Sequence, residues 1–189
     1  MTLKKTSILV VSIIAVFALA ASQIAWGART DFETQSLHGL DGVYVIVQSL
    51  NPDIVKDGLT ATSIESSVKQ QLKDAGIKVL ADKDSLSSDD GILLLELSSI
   101  KSNSGFHACS LDAELIQVAR LARDTSIITP ATTWMSGVVA VVTQSNVSHI
   151  TDIVTELVGE FVKDYQSANS TSNTNKSGAG PAIDSDGKL

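Results

Sequence analysis

Five segments of the chain are short runs of alternating or β-branched apolar residues, and each predicts a strand. The first, GVYVIVQSL, has β-branched residues on both faces, which is typical of an interior strand, and it ends at the turn signal NPD. The third places Leu93, Leu95 and Leu97 on one face and grades from apolar to polar on the other, so we expect one buried face and one half-covered face. The five segments are 42–50, 77–81, 92–101, 106–121 and 126–142.

Two segments carry apolar residues at helical spacing. Across residues 62–75 the apolar positions recur every three or four residues, Thr62 and Glu65 match a capping box, and Gly76 fits a left-handed C-terminal cap. Across residues 147–165 a broad apolar stripe predicts a closing helix. Both helices are amphipathic, so each needs a surface to cover.

The order of these elements predicts an α+β fold. A strand, helix, strand sequence implies a right-handed parallel crossover, and the segments 102–105 and 123–125 can close antiparallel hairpins. Pro130 has no N–H for a strand ladder, which places the last strand at an edge or at a bulge. We expect a two-layer sandwich of order β-α-β-β-β-β-α, with a mixed sheet of about five strands, two helices on one face and a signal helix ahead of it.

The first 27 residues have the layout of an export signal, with two lysines, an apolar run and small residues at its end. Ala25 and Gly27 favour cleavage after Gly27, which predicts a periplasmic or secreted protein. The alternative is an uncleaved anchor, because Thr6 to Trp26 is long enough to cross a hydrocarbon core of roughly 30 Å. The predicted organisation is a signal peptide at 1–27, a lead-in at 28–39, one domain at 40–166 and a polar, disordered tail at 167–189.

Charge and cysteine content restrict the partners. The chain has 14 basic and 21 acidic side chains, a formal net charge of −7, and cleavage after Gly27 would remove two lysines and no acid to leave −9. Nucleic acid is excluded as a predicted partner because phosphate binding needs clustered Lys and Arg. A single cysteine forms no internal disulfide, so the fold depends on core packing.

The stretch FHACSLDAEL is the one candidate for catalysis. Cys109 and His107 share a strand face, about 6 to 7 Å apart along the strand, and a thiol beside an imidazole can form a nucleophile and its base. Alternation places Cys109 in the apolar layer, where a thiol is inert and its pKa rises, while Asp112 faces the opposite way and cannot orient His107. We therefore predict no catalytic residue and keep the Cys109–His107 pair as an enzyme or redox alternative.

We predict no metal or cofactor site. His38, His107 and His149 are far apart and form no short-spaced ligand pair. The acidic loop DKDSLSSDDG departs from the calcium-loop pattern because leucines occupy ligand positions. The first strand ends without the glycine-rich sequence that binds phosphates.

Two aromatic residues are candidates for a partner surface. Trp134 lies in the predicted edge strand and Tyr44 in the first strand, and aromatic residues on a half-covered sheet face are typical of protein contacts. The alternative for both is packing in the core or at the edge. Pro130 can shift the strand register, so the face of Trp134 stays open.

The segments GVYVIVQSL, LKDAGI, GILLLELSSI, ELIQVARLAR, TTW and ELVGEFVKDY together resemble a family of exported bacterial proteins of unknown function, over residues 40–168. The strand order is also similar to small envelope domains such as the N-terminal domain of TolB, which mediates protein contacts. This resemblance implies an envelope location and no functional residues.

The leading hypothesis is a non-enzymatic, exported module that binds an envelope protein through its open sheet face or edge strand. One alternative is a secreted enzyme or redox protein that uses Cys109 and His107. Another is a membrane-tethered domain that retains its N-terminal anchor.

Overall fold

A computed structural model describes residues 30–170, and its α+β architecture matches the predicted class. Five strands form one mixed sheet, and from one edge to the other they are Lys78–Val79, Gly42–Val47, Asp90–Lys101, Phe106–Leu121 and Asp124–Thr143. The predicted signal helix at 1–27 lies outside the described residues. In chain order the elements are α1 (Asp31–Gln35), β1 (Gly42–Val47), α2 (Pro52–Lys56), α3 (Ala61–Asp74), β2 (Lys78–Val79), β3 (Asp90–Lys101), β4 (Phe106–Leu121), β5 (Asp124–Thr143) and α4 (His149–Asn169).

The strand β1 is interior, as its β-branched sequence predicts. Gly42 pairs in parallel with Lys78 of β2 on one side and with Asp90 of β3 on the other. The predicted parallel crossover is therefore confirmed, with α2 and α3 in the connection from β1 to β2.

The three long strands form an antiparallel meander. β3 and β4 pair without a shift from Ile92 opposite Ile116 to Lys101 opposite His107, and the four residues between them close the predicted hairpin. Gly105 has a φ of 82° in this hairpin, a conformation that favours glycine.

β5 is an edge strand, and it contains a bulge. Leu115 lies opposite Trp134, but the next residue of β4 lies opposite Thr132, so Thr133 is the extra residue. The sequence prediction centred this irregularity on Pro130. The bulge lies three residues later. It exchanges the faces on which the odd and even residues of β5 lie, and Trp134 therefore faces the helices.

The helix α3 begins one residue earlier than predicted, and its cap differs. Thr60, in an extended conformation, is the N-cap, and its hydroxyl accepts a hydrogen bond from the Ser63 amide at 3.1 Å. The predicted capping box of Thr62 and Glu65 is wrong, because both residues already lie inside the helix and Glu65 forms an ion pair with Lys69 instead. Gly76 has the predicted left-handed conformation, with a φ of 79°.

The helices α3 and α4 pack side by side on one face of the sheet. Their buried residues meet the inward-facing residues of the sheet, of which Leu93 and Leu115 are fully buried. Trp134 lies edge-on to Phe161 of α4, with ring centroids 5.1 Å apart and planes at 77°. The other face of the sheet carries no helix from residues 30–170.

The folded unit is wider than residues 40–166. Leu37, in the predicted lead-in, is fully buried in the core. α4 continues to Asn169, whose side-chain amide donates to the Leu37 carbonyl and accepts from the Gly39 amide, both at 2.9 Å. No helix between residues 30 and 170 combines the length and apolar character that crossing a membrane requires.

Candidate functional site

Cys109 lies in the core, as strand alternation predicts. Its side chain is 1% exposed and belongs to the apolar cluster between the sheet and the helices. Burial raises the pKa of the Cys109 thiol, because the thiolate would lose its hydration. The thiol therefore lacks the low pKa and the access that a nucleophile needs.

His107 is turned toward Asp57. Its side chain is fully buried, and its Nε2 lies 2.7 Å from Asp57 Oδ2. From its place on β4, His107 was a candidate base for the Cys109 thiol. The structure gives it a carboxylate partner from a segment 50 residues away.

Asp57 is the centre of a four-residue polar network, which we call the Asp57 network. The residue follows α2 directly, and its carboxylate accepts from Lys101 Nζ at 2.7 Å and from Gln144 Nε2 at 2.8 Å, in addition to His107. The hydrogen bond from Lys101, followed by that from His107, holds the pKa of Asp57 below its usual value. The network therefore joins the end of α2, both strands of the β3–β4 hairpin and the turn after β5.

The surroundings of His107 indicate which of its two ring nitrogens donates a hydrogen bond. The Nδ1 atom is buried and has no hydrogen-bond partner among residues 30–170. A proton on Nδ1 would create a buried donor without an acceptor, which is costly, whereas a proton on Nε2 is donated to the Asp57 carboxylate. We therefore assign Nε2 as the nitrogen that donates to Asp57, while Nδ1 faces the interior and is out of reach of a substrate in solvent.

The sequence contained one signal for the Asp57 network. Lys101 lies four residues after Leu97 on the same strand, so both side chains point toward the helix-covered face. A lysine on that face needs a carboxylate partner there. Nothing in the local pattern around Asp57 identifies it as the partner, because the two residues are 44 positions apart.

The open face of the sheet carries an apolar cluster at the end nearest the β3–β4 hairpin. Ile100 lies opposite Ala108, which in turn lies opposite Val141, so the three form a row across three strands. Phe106 and Val139 flank this row, and all five side chains are exposed, to 78% for Ile100, 76% for Val139 and 67% for Val141. We call these five residues the open-face patch.

An acidic band crosses the open face nearer the middle of the sheet, separated from the pair of Ile100 and Ala108 by the pair of Ser98 and Ser110. Glu96 lies directly opposite Asp112, and Glu114 follows on the same face of β4. Each carboxylate accepts one hydrogen bond of about 3.0 Å from a neutral side chain: Gln48, Ser110 and Thr132, respectively. Within residues 30–170 no group of three His, Cys, Asp or Glu side chains is arranged to hold a metal ion.

The structure separates the two aromatic residues of the predicted partner surface. Tyr44 is half-buried on the open face, beside Ile92. Trp134 is fully buried on the opposite face, where its indole N–H donates to Asp164 Oδ2 at 2.9 Å. The packing alternative therefore describes Trp134, while Tyr44 remains a candidate for the partner surface.

The acidic loop that resembles a calcium loop uses its carboxylates locally. Asp82 accepts from the Ser85 amide and hydroxyl, both at 2.9 Å, and so caps a short 3-10 turn. Asp90 accepts from the Ser87 amide and hydroxyl, and these hydrogen bonds lower the pKa of Asp90. These contacts stabilise the connection into β3.

No protein-family model matches the chain, and no curated protein matches it. Among solved structures, the chain is similar to a PelC dodecamer from Paraburkholderia phytofirmans, with 19% identity and a TM-score of 0.40, over 68% of this chain and 90% of that one.

Proposed function

We propose that this protein is a non-enzymatic interaction module that binds an apolar surface of a partner protein on its open-face patch. The observation that carries the proposal is the row of Ile100, Ala108 and Val141, in which exposed aliphatic groups from three adjacent strands lie side by side. Contiguous exposed apolar surface with a polar border is typical of protein contact sites.

The chemistry of the remaining candidates supports a non-enzymatic role. Cys109 is buried and its thiol pKa is raised, and the free nitrogen of His107 faces the interior. Neither group meets the access that the enzyme or redox alternative requires. A thiol reagent tests this alternative directly, because rapid labelling of the native protein near neutral pH would support it.

The acidic band and the net charge favour a protein partner over a membrane surface. Anionic headgroups attract basic segments, whereas this chain has a net charge of −7 and three carboxylates on the same sheet face as the open-face patch. We propose that the partner is an envelope protein, which rests on the predicted export signal and agrees with the resemblance to TolB-like domains. N-terminal sequencing of the mature protein separates cleavage after Gly27 from a retained anchor.

A photo-crosslinking amino acid tests the proposed surface in cells that make the protein. Placed at Ile100, it should form a discrete adduct with one partner, identified by mass spectrometry. Placed at Gln70 on the exposed side of α3, it should not. The adduct formed from Ala108 should disappear when Ile100→Lys is added. If positions 100 and 108 give no adduct with another protein, the proposal fails.

A further inference from the structure

The outer edge of β5 presents an unpaired strand with unusually little charge. β5 pairs with β4 on one side, and residues 30–170 supply no strand on its other side. Asp124 is the only charged residue of this 20-residue strand, and the chain has no Asp, Glu, Lys or Arg between Asp124 and Asp152. Exposed edges usually carry charges or proline that block pairing with another chain.

The bulge at Thr133 divides this edge into a protected and an unprotected half. The N-terminal half contains Pro130, which lacks an N–H. Ser36, the residue after α1, lies over the bulge itself, with its hydroxyl oxygen 3.1 Å from the Thr133 carbonyl oxygen. The C-terminal half has no proline, and from Trp134 to Thr143 it pairs with β4 without a register shift. This regular half is the one that can accept another strand.

The unprotected half is also self-complementary. Residues 138–142 read VVAVV, which is the same in both directions around Ala140. Antiparallel pairing of two copies about a two-fold axis at Ala140 would place Val139 opposite Val141 of the other copy. It would also place the smallest of these side chains on the axis. A two-fold interface requires a self-complementary surface, because each residue of one copy meets the reciprocal residue of the other copy.

We infer that the protein forms a dimer of two copies of this chain, in which the 134–143 halves of β5 pair antiparallel about Ala140. The chain has a net charge of −7, so two copies repel elsewhere, and this uncharged edge is where they can meet. Val139 and Val141 belong to the open-face patch, so pairing would join the two patches across a sheet of ten strands. The inference rests on the edge strand and does not depend on the proposed partner.

Paired substitutions at positions 139 and 141 test the inference in the full chain by sedimentation velocity. The double variant V139K/V141K places lysines opposite lysines across the axis and should weaken dimerisation at least 100-fold. V139K/V141E places each lysine opposite a glutamate and should recover dimerisation to within about tenfold of the wild type. Both side chains are largely exposed, so the fold should persist, which circular dichroism checks.

The control I100K adds a lysine to the same patch but away from the edge, and it should dimerise like the wild type. Adding lysines to this acidic chain reduces the magnitude of its net negative charge and so weakens the overall repulsion between copies. Loss of the dimer in V139K/V141K would therefore be a local effect. A monomeric wild type at 100 μM, open-ended assemblies, or equal behaviour of the two double variants would overturn the inference. Failure of the Ile100 crosslink with the dimer intact would remove the proposed partner alone.

Discussion

The two faces of the sheet are made by the same strands and have opposite consequences. On β4, Leu111, Ala113 and Leu115 are buried under the helices, whereas the alternate residues Ser110, Asp112 and Glu114 lie on the open face. The covered face supplies the free energy of folding, because apolar burial is its largest favourable term. The open face contributes little to folding and is therefore free to carry a contact surface.

The largest expected effect comes from the covered face. Trp134→Ala should lower the free energy of unfolding by about 3–5 kcal/mol, because it removes a fully buried ring that packs on Phe161 and donates to Asp164. Urea denaturation measures this change, and Trp134→Phe should cost less because it keeps most of the apolar contact. A loss below about 1 kcal/mol for the alanine variant would contradict the assigned packing.

The Asp57 network should produce an acid-dependent loss of stability. The pKa of Asp57 is lowered in the folded protein by Lys101 and His107, so its contribution is present above the ordinary Asp value of 3.8 and is lost as pH falls through the lower folded value. Asp57→Asn should therefore destabilise the protein near neutral pH and make the loss of stability below pH 3.8 less steep.

The matched control for Asp57 is Asp53→Asn, in the exposed part of α2. It removes the same charge from an exposed position, so it should lower the urea midpoint near neutral pH less than Asp57→Asn does. Asp90 and Asp124 also have lowered pKa values, so they contribute to the loss of stability below pH 3.8. Both residues are present in the two variants, and their contribution is therefore common to both. Identical urea midpoints for the two variants across this pH range would show that the Asp57 network does not stabilise the fold.

One position on the open face also has a steric requirement. A Cβ at Gly137 would overlap Asp112 Oδ1 and lie 3.3 Å from the Leu111 carbonyl oxygen. Gly137→Ala should therefore cost about 1 kcal/mol, and the cost should fall when Asp112→Ala is present, because the overlapping carboxylate is gone. A double-mutant cycle by urea denaturation measures this coupling, and strictly additive changes would exclude the overlap as the cause.

The smallest effect on stability should come from the open-face patch. Ile100→Thr should change the free energy of unfolding by no more than about 0.5 kcal/mol, because the side chain is mostly exposed. The same variant should reduce the crosslinking yield from Ala108. A stability loss of 2 kcal/mol or more would mean that Ile100 is buried in the folded protein and is not a contact residue.

Much of the fold followed from local patterns. β4 has the predicted bounds of Phe106 and Leu121, and the predicted left-handed conformation at Gly76 is present. These features depend on strand alternation and backbone preferences, which act over a few residues. The cap of α3 was assigned to Thr62 instead of Thr60, because two threonines two residues apart both precede an apolar repeat.

The candidate site was only partly predictable. The alternation of β4 correctly placed Cys109 in the core. The face of Trp134 depended on a bulge whose position no local pattern specifies. The partner of His107 comes from the end of α2, so finding it required the strand order and the placement of that helix.

The sequence by itself determined the α+β class, the order of the five strands and the two long helices, and the burial of the cysteine, because each depends on the period of apolar residues along one segment. Only the tertiary structure decided which sheet face carries Trp134 and that Asp57, Lys101, His107 and Gln144 meet. These outcomes depend on contacts between segments that are tens of residues apart, and local periodicity carries no information about them.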